Sequence, residues 1–328
     1  MFKRAFGAAI AVAAALAILP AQAADTVKVG VLKYGTVNWE LKAMKANGFD
    51  TRNGVDVEIV GFAGEDATAV ALRAGEVDVI VSDWLDVSRD RASGGDLTMV
   101  PYSSSVGMIM VPGSSPLKSV ADLKGKTLGV AGGPLDKSWL LIQAMAKKDY
   151  GLDLAKENEI AYGAPPLLAE KAKLGELDAV LNFWHWSARL EAEGFRKLVS
   201  AEDAANALGA SGPVSALGYI FHESWAKEHP QAAMGFVKAS RETKALMKSS
   251  DAEWDRLHDS GAIKDEGKAL TTLRDRYRDG IPARPAAEEE ADAARLFEVL
   301  ADVGGDKLTG GETKMQPGTY WSELKSNF

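Results

Sequence analysis

Apolar and polar positions alternate in short blocks along this chain, and the blocks recur in a fixed order. Val27 to Leu32 alternates toward a strand, and Asn38 to Asn47 has helical spacing. Val55 to Phe62 predicts a second strand. Glu65 to Ala74 predicts a helix, with Gly75 as its C-terminal stop. Val77 to Val81 is nearly continuous apolar strand, as expected where helices cover both faces of a parallel sheet. A helix over Trp84 to Ala92 and a strand over Leu97 to Tyr102 complete the series. Strand alternating with helix is the α/β pattern.

The order then repeats. Thr127 to Val130 reads as strand, Lys137 to Lys148 as helix, Glu159 to Tyr162 as strand, Pro166 to Leu174 as helix and Leu177 to Phe183 as strand. Ser187 to Glu193 and Lys197 to Ser200 add a helix and a strand. The halves also match in sequence. "GEVDVIVSDW", from Gly75, lies beside "GELDAVLNFW", from Gly175, at a constant offset of 100 residues. A match at the same step of two βαβ series predicts two domains of similar build. The segments near Ser104 to Met108 and Gly209 to Val214 are candidate crossings between them. "VSALGYIFH" reads as a strand returning to the first half, and the remainder is mostly helical.

Composition narrows the class. The 328 residues exceed what one hydrophobic core usually serves. A net charge of −8 without any basic cluster excludes an electrostatic nucleic-acid binder. Met1 to Arg4 is a short basic start, Ala5 to Leu19 is small and apolar, and Ala21-Gln22-Ala23 is an A-x-A cleavage signal; together they predict an export signal over residues 1–23. Its removal would take the net charge to −10 by loss of Lys3 and Arg4. No cysteine is present, so the exported chain would rely on its core rather than on disulfides or a lipidated terminus. No later segment is long and apolar enough to span a membrane.

Chemistry is concentrated where the predicted strands end. In open α/β sheets, ligands bind outside the carboxyl ends of the strands. There the chain places Lys33, Tyr34 and Trp39; Ser82, Asp83 and Trp84; Gly133, Lys137, Ser138 and Trp139; and Asn182, Trp184, His185 and Trp186. Five of the eight tryptophans fall at these edges, and both halves contribute. Aromatic faces from two lobes could clamp a flat ligand, each stacked pair adding about 0.5–1.5 kcal/mol beyond area burial. Each of these tryptophans could equally pack under its own helix. Trp225, Trp254 and Trp321 are assigned to packing. Lys33 and Lys137, with amides at helix starts, favour an anion. Asp83 and Asp136 read as helix N-caps. The acidic run Glu288-Glu289-Glu290 reads as a solvated helix face.

Several enzyme motifs fail. "GKT" at residues 125–127 lacks the upstream glycine of a phosphate loop and precedes a strand. "HESWAKEH" does not have H-E-x-x-H spacing, four histidines without cysteine offer little to a metal, and there is no G-x-S-x-G. No enzyme activity, catalytic residue, metal or required cofactor is expected.

"AVALRAGEVDVIV", "SVADLKGKTLGV", "AEKAKLGELDAVL" and "WAKEHPQAAMGFVKA" together resemble the periplasmic substrate-binding proteins of ABC importers, of the nitrate, sulfonate and taurine type, from about Val27 to Lys248. The resemblance implies an α/β fold of two lobes, each a mostly parallel sheet flanked by helices, with two crossover strands as hinge. Residues 24–105 and 212–328 would form lobe 1, with the C-terminal helices, and 106–211 lobe 2. It implies that the strand-end residues named above face the cleft, and that a membrane permease and an ATPase are partners. The chain departs from such proteins by crowding its edges with tryptophan. That departure leads to the expectation of a larger planar anion, such as an aromatic carboxylate or a carboxylated redox cofactor like pyrroloquinoline quinone. The alternatives are a taurine, alkanesulfonate or nitrate binder, or a periplasmic carrier or sensor partner without transport. The exported chain is expected to be a monomer.

Overall fold

The computed structural model describes residues 24–324, so the segment read as an export signal lies outside the described residues. The chain enters through β1 (Asp25–Leu32), α1 (Val37–Ala46), α2 (Phe49–Arg52), β2 (Val55–Phe62), α3 (Glu65–Arg73), β3 (Val79–Asp83), α4 (Trp84–Ala92) and β4 (Leu97–Ser103). It crosses to β5 (Met108–Pro112). A second series follows: β6 (Thr127–Ala131), α5 (Lys137–Tyr150), β7 (Glu159–Gly163), α6 (Pro165–Lys173), β8 (Ala179–Asn182), α7 (Trp184–Ala192), β9 (Phe195–Ser200) and α8 (Ala201–Ala207). The chain returns as β10 (Leu217–His222). It ends in α9 (Glu223–Glu228), α10 (Pro230–Ser249), α11 (Asp251–Asp259), α12 (Gly267–Asp279), α13 (Ala286–Gly304) and α14 (Asp306–Thr309).

Two sheets result, in the orders β2-β1-β3-β10-β4 and β7-β6-β8-β5-β9. Within them β2, β1 and β3 run parallel, as do β7, β6 and β8. One strand of each sheet is antiparallel to both neighbours: β10 in the first and β5 in the second. These are the strands that the chain enters on passing from one sheet to the other.

The repeated "GExD" has a local cause. Gly75 and Gly175 end α3 and α6 in the left-handed region, at φ +70° and +75°, where a side chain would strain the backbone. Their N–H groups donate to Leu72 and Ala172, and the next residues donate to Ala71 and Lys171. Three residues on, Asp78 accepts from Lys28 N–H at 2.8 Å, and Asp178 accepts from Thr127 N–H at 2.9 Å. Each aspartate thus ties the incoming strand to its parallel neighbour, β3 to β1 and β8 to β6.

Two expectations change. Helix α7 starts at Trp184 rather than Ser187, because the Phe183 carbonyl accepts from both Trp186 and Ser187 N–H at 2.9 Å and closes the first turn there. The aromatic run is therefore helix, and β8 stops at Asn182. Glu289 is buried instead of solvated; it accepts from Ser215 N–H at 3.0 Å and from the Tyr320 hydroxyl at 3.3 Å. The C-terminal helices touch both lobes: α12 packs on α7 and α13 on α5. One core cluster consequently runs from Leu72, Ile80 and Trp84 through Leu296 and Phe297 to Ile109, Trp139 and Ile142.

Candidate functional site

The strand ends of the two sheets meet in two places. At the first, β3 ends in Asp83, whose Oδ1 caps α4 by accepting from Asp86 N–H at 3.0 Å. Across from it, β6 turns through Gly132 and Gly133, at φ +81° and +84°, to Asp136. Asp136 caps α5 by accepting from Trp139 N–H at 3.0 Å. Lys137 opens that helix, and its Nζ pairs with Asp83 Oδ2 from the other lobe. Burial works against charge on both, but each outweighs it for the other: Lys137 is shifted up, with help from Asp86 and Asp136, and Asp83 is shifted down. Around them, burial and the Asp83 charge push Asp86 up, while it accepts from the Ser82 hydroxyl and pairs with Arg89. Burial also pushes Glu65 up, with Lys137 opposing.

The neighbouring polar residues are committed to their own lobe. The Ser138 hydroxyl accepts from Gly107 N–H at 3.2 Å. Asn182 is fully buried, donating to the Pro165 carbonyl and accepting from Phe183 N–H, both at 2.9 Å.

At the second meeting point the contact is aromatic. Trp39, at the start of α1, packs edge to face on Trp184, at the start of α7. Trp254 lies 6.0 Å from Trp39, and Tyr277 lies 5.2 Å from Trp254 and 6.3 Å from Trp184. All four rings are at most 8% exposed. Two forked ion pairs flank them: Arg189 to Asp265 at 2.7 and 2.9 Å, and Arg276 to Glu191 at 2.9 and 2.7 Å. Beneath the rings, fully buried Glu40 accepts from the hydroxyls of Tyr219 and Tyr277 at 3.1 Å and of Ser240 at 2.6 Å, and pairs with Lys244.

The aromatic clamp is therefore corrected. Trp39, Trp84, Trp139 and Trp184 are covered by protein, Trp84 lying against Phe297 at 6.2 Å and Trp139 being 1% exposed. The faces of Trp39, Trp84 and Trp184 pack on rings of the C-terminal helices: Trp254, Phe297 and Tyr277. Trp186 is half-buried, with the Arg189 guanidinium 4.9 Å from its ring centre. His185 is half-buried between Trp184 and Trp186; burial, then Arg189, lowers its pKa to about 4. Lys33 and Tyr34 are exposed, Tyr34 almost entirely.

Sequence reasoning missed Glu65, which opens α3 and interacts with Lys137 and Asp83; Leu135 and Phe183, within the stretches that the resemblance placed at the cleft, are exposed. Sequence reasoning also missed the buried Glu40 network, whose only trace is an acid on the apolar side of α1. One signal was available: Trp39 and Trp139 share the 100-residue offset of Trp84 and Trp184. The structure joins Trp39 to Trp184 and places Trp84 and Trp139 in one cluster.

Two mixed sheets with facing strand ends, joined by two crossing segments, make the two-lobed fold of periplasmic binding proteins. The periplasmic aliphatic sulphonate-binding protein SsuA from Escherichia coli superimposes with a TM-score of 0.71 at 19% identity, over 90% of this chain and 92% of that one. The alkanesulfonate-binding protein SsuA from Xanthomonas axonopodis pv. citri, bound to MOPS, gives 0.65 at 18%, over 90% and 98%. The periplasmic nitrate-binding protein NrtA from Synechocystis PCC 6803 gives 0.57 at 12%, over 85% of each. The chain belongs to the NMT1/THI5-like family, whose model matches residues 41–252. No curated protein matches it.

Proposed function

We propose that this chain is the extracytoplasmic solute-binding component of an ABC importer, holding a small anion of the sulfonate or nitrate kind between its lobes for delivery to a permease and ATPase. The observation that carries the reading is Lys137: a cation on the first turn of α5, beside the Gly132-Gly133 turn, at the meeting point of both lobes. Family membership, the fold shared with sulfonate and nitrate binders and the export-type N-terminus support it. Pyrroloquinoline quinone and aromatic carboxylates lose their argument, because four of the five tryptophans expected to stack on them pack on protein instead. The function is binding coupled to closure, in which the ligand stabilises the state that contacts it from both lobes.

Calorimetric titration of the processed protein with nitrate, methanesulfonate and taurine tests this. Binding of at least one is expected. Binding of pyrroloquinoline quinone or benzoate in place of all three would overturn it.

A further inference from the structure

The two oxygens of Asp83 have separate tasks. Oδ1 is committed to the Asp86 N–H at the start of α4, and Oδ2 reaches across to Lys137 of the other lobe. The pairing is not explained by helix stability. A lysine on the first turn of a helix opposes the helix dipole, which favours acids there. Asp136 already caps that turn. What Lys137 gains is a carboxylate from the facing lobe, fixed in place by its own capping bond.

Charge in the surroundings sharpens the point. Asp83, Asp86, Asp136 and Glu65 all act on Lys137, while Arg89 is committed to Asp86 and to the Leu308 carbonyl. An anion added to this group would meet a surplus of negative charge. An anion that took Lys137 from Asp83 would keep the lysine paired, at the cost of leaving the Asp83 carboxylate to turn away from it. Because Asp83 and Lys137 stand on different lobes, separation of the lobes would break their pair and free the ammonium.

Building on the anion-binding reading above, we propose that Asp83 is an internal counter-ion: its carboxylate competes with the ligand's anionic group for Lys137, and adds to the contacts that hold the lobes together when no ligand is bound. Affinity is then a difference between two anionic partners of one lysine, and Asp83 sets how strong an anion must be to enter.

Asp83→Asn tests this, because asparagine still caps a helix through its side-chain oxygen but carries no charge. Asp83→Ser is a second capping replacement, should the first fail to fold. Titration with nitrate, methanesulfonate and taurine is expected to show at least tenfold tighter binding than in the wild type for whichever binds, and Lys137→Met is expected to lose it. Unchanged or weaker binding in both folded Asp83 variants would overturn the competition. A second readout needs no ligand: the distance between spin labels at two exposed positions, Tyr34 on one lobe and Leu167 on the other, in ligand-free solution. Asp83→Asn is expected to broaden and lengthen that distribution, and an unchanged one would overturn the role of the pair in holding the lobes. If no anion binds the wild type, the anion-binding reading falls, while the distance still decides whether the pair joins the lobes.

Discussion

Trp39 of the first lobe and Trp184 of the second meet edge to face, their ring centres 6.1 Å apart at an interplanar angle of 88°. Neither ring is more than 8% exposed, and Trp254 and Tyr277 close the cage. This contact binds one lobe to the other through side chains whose faces are already covered. It changes what substitution of either tryptophan should do.

Trp184→Ala removes a buried aromatic ring and leaves a cavity, which typically costs about 3–5 kcal/mol. A matching drop in unfolding free energy is expected in urea denaturation. Trp186→Ala, with a half-buried ring under Arg189, is expected to lose less than half as much. Equal stability of Trp184→Ala and the wild type would show that the cage is not structural.

Glu40 and Lys244 form a buried pair surrounded by three donated hydroxyls. Glu40→Ala would leave the lysine buried without its carboxylate, a loss of about 3–5 kcal/mol when one member of such a pair is removed. Replacing both members together, as Glu40→Leu with Lys244→Met, should recover part of that loss in the same assay. A double variant no better than the single one would contradict pairwise compensation.

Arg276 and Glu191 join α12 to α7 through a two-bond fork on half-buried side chains. A double-mutant cycle with Arg276→Ala and Glu191→Ala is expected to give a coupling of about 1 kcal/mol, the upper end for solvent-accessible pairs. The coupling should shrink in 1 M salt. A coupling that salt leaves untouched would mean that packing, not charge, joins the two helices.

His185 has its pKa lowered to about 4, by burial first and then by Arg189, with Asp265 opposing. The unfolded chain protonates it near the ordinary value of about 6.5. The stability it contributes is therefore fully present above that value and is lost as pH falls toward 4, to the order of 3 kcal/mol. His185→Gln should flatten the fall in stability between these limits, read from denaturation midpoints at successive pH values. Identical profiles for the variant and the wild type would show that the folded protein protonates His185 freely.

Much of this protein could be read along the chain because the responsible forces act between near neighbours. The strand and helix alternation follows from apolar spacing. The stops at Gly75 and Gly175 follow from a backbone region that glycine adopts without strain. The caps at Asp83 and Asp136 follow from carboxylates three residues before unpaired N–H groups. The two-lobed α/β reading and the resemblance to importer binding proteins rested on such local patterns placed in order. The early start of α7 escaped because an aromatic run looks alike at a strand end and on a helix's first turn.

Other features depend on where distant segments come to rest. No spacing rule relates Trp39 to Trp184, Asp83 to Lys137, or Glu40 to Lys244 and Tyr277. Each pair exists because sheets and helices bring together residues far apart in the chain, and because the C-terminal helices reach over both lobes. The sequence by itself determined the elements, their repeat and their caps. Only the tertiary structure decided which aromatic faces were covered and which carboxylate each cation met, since burial and pairing are properties of the space between elements.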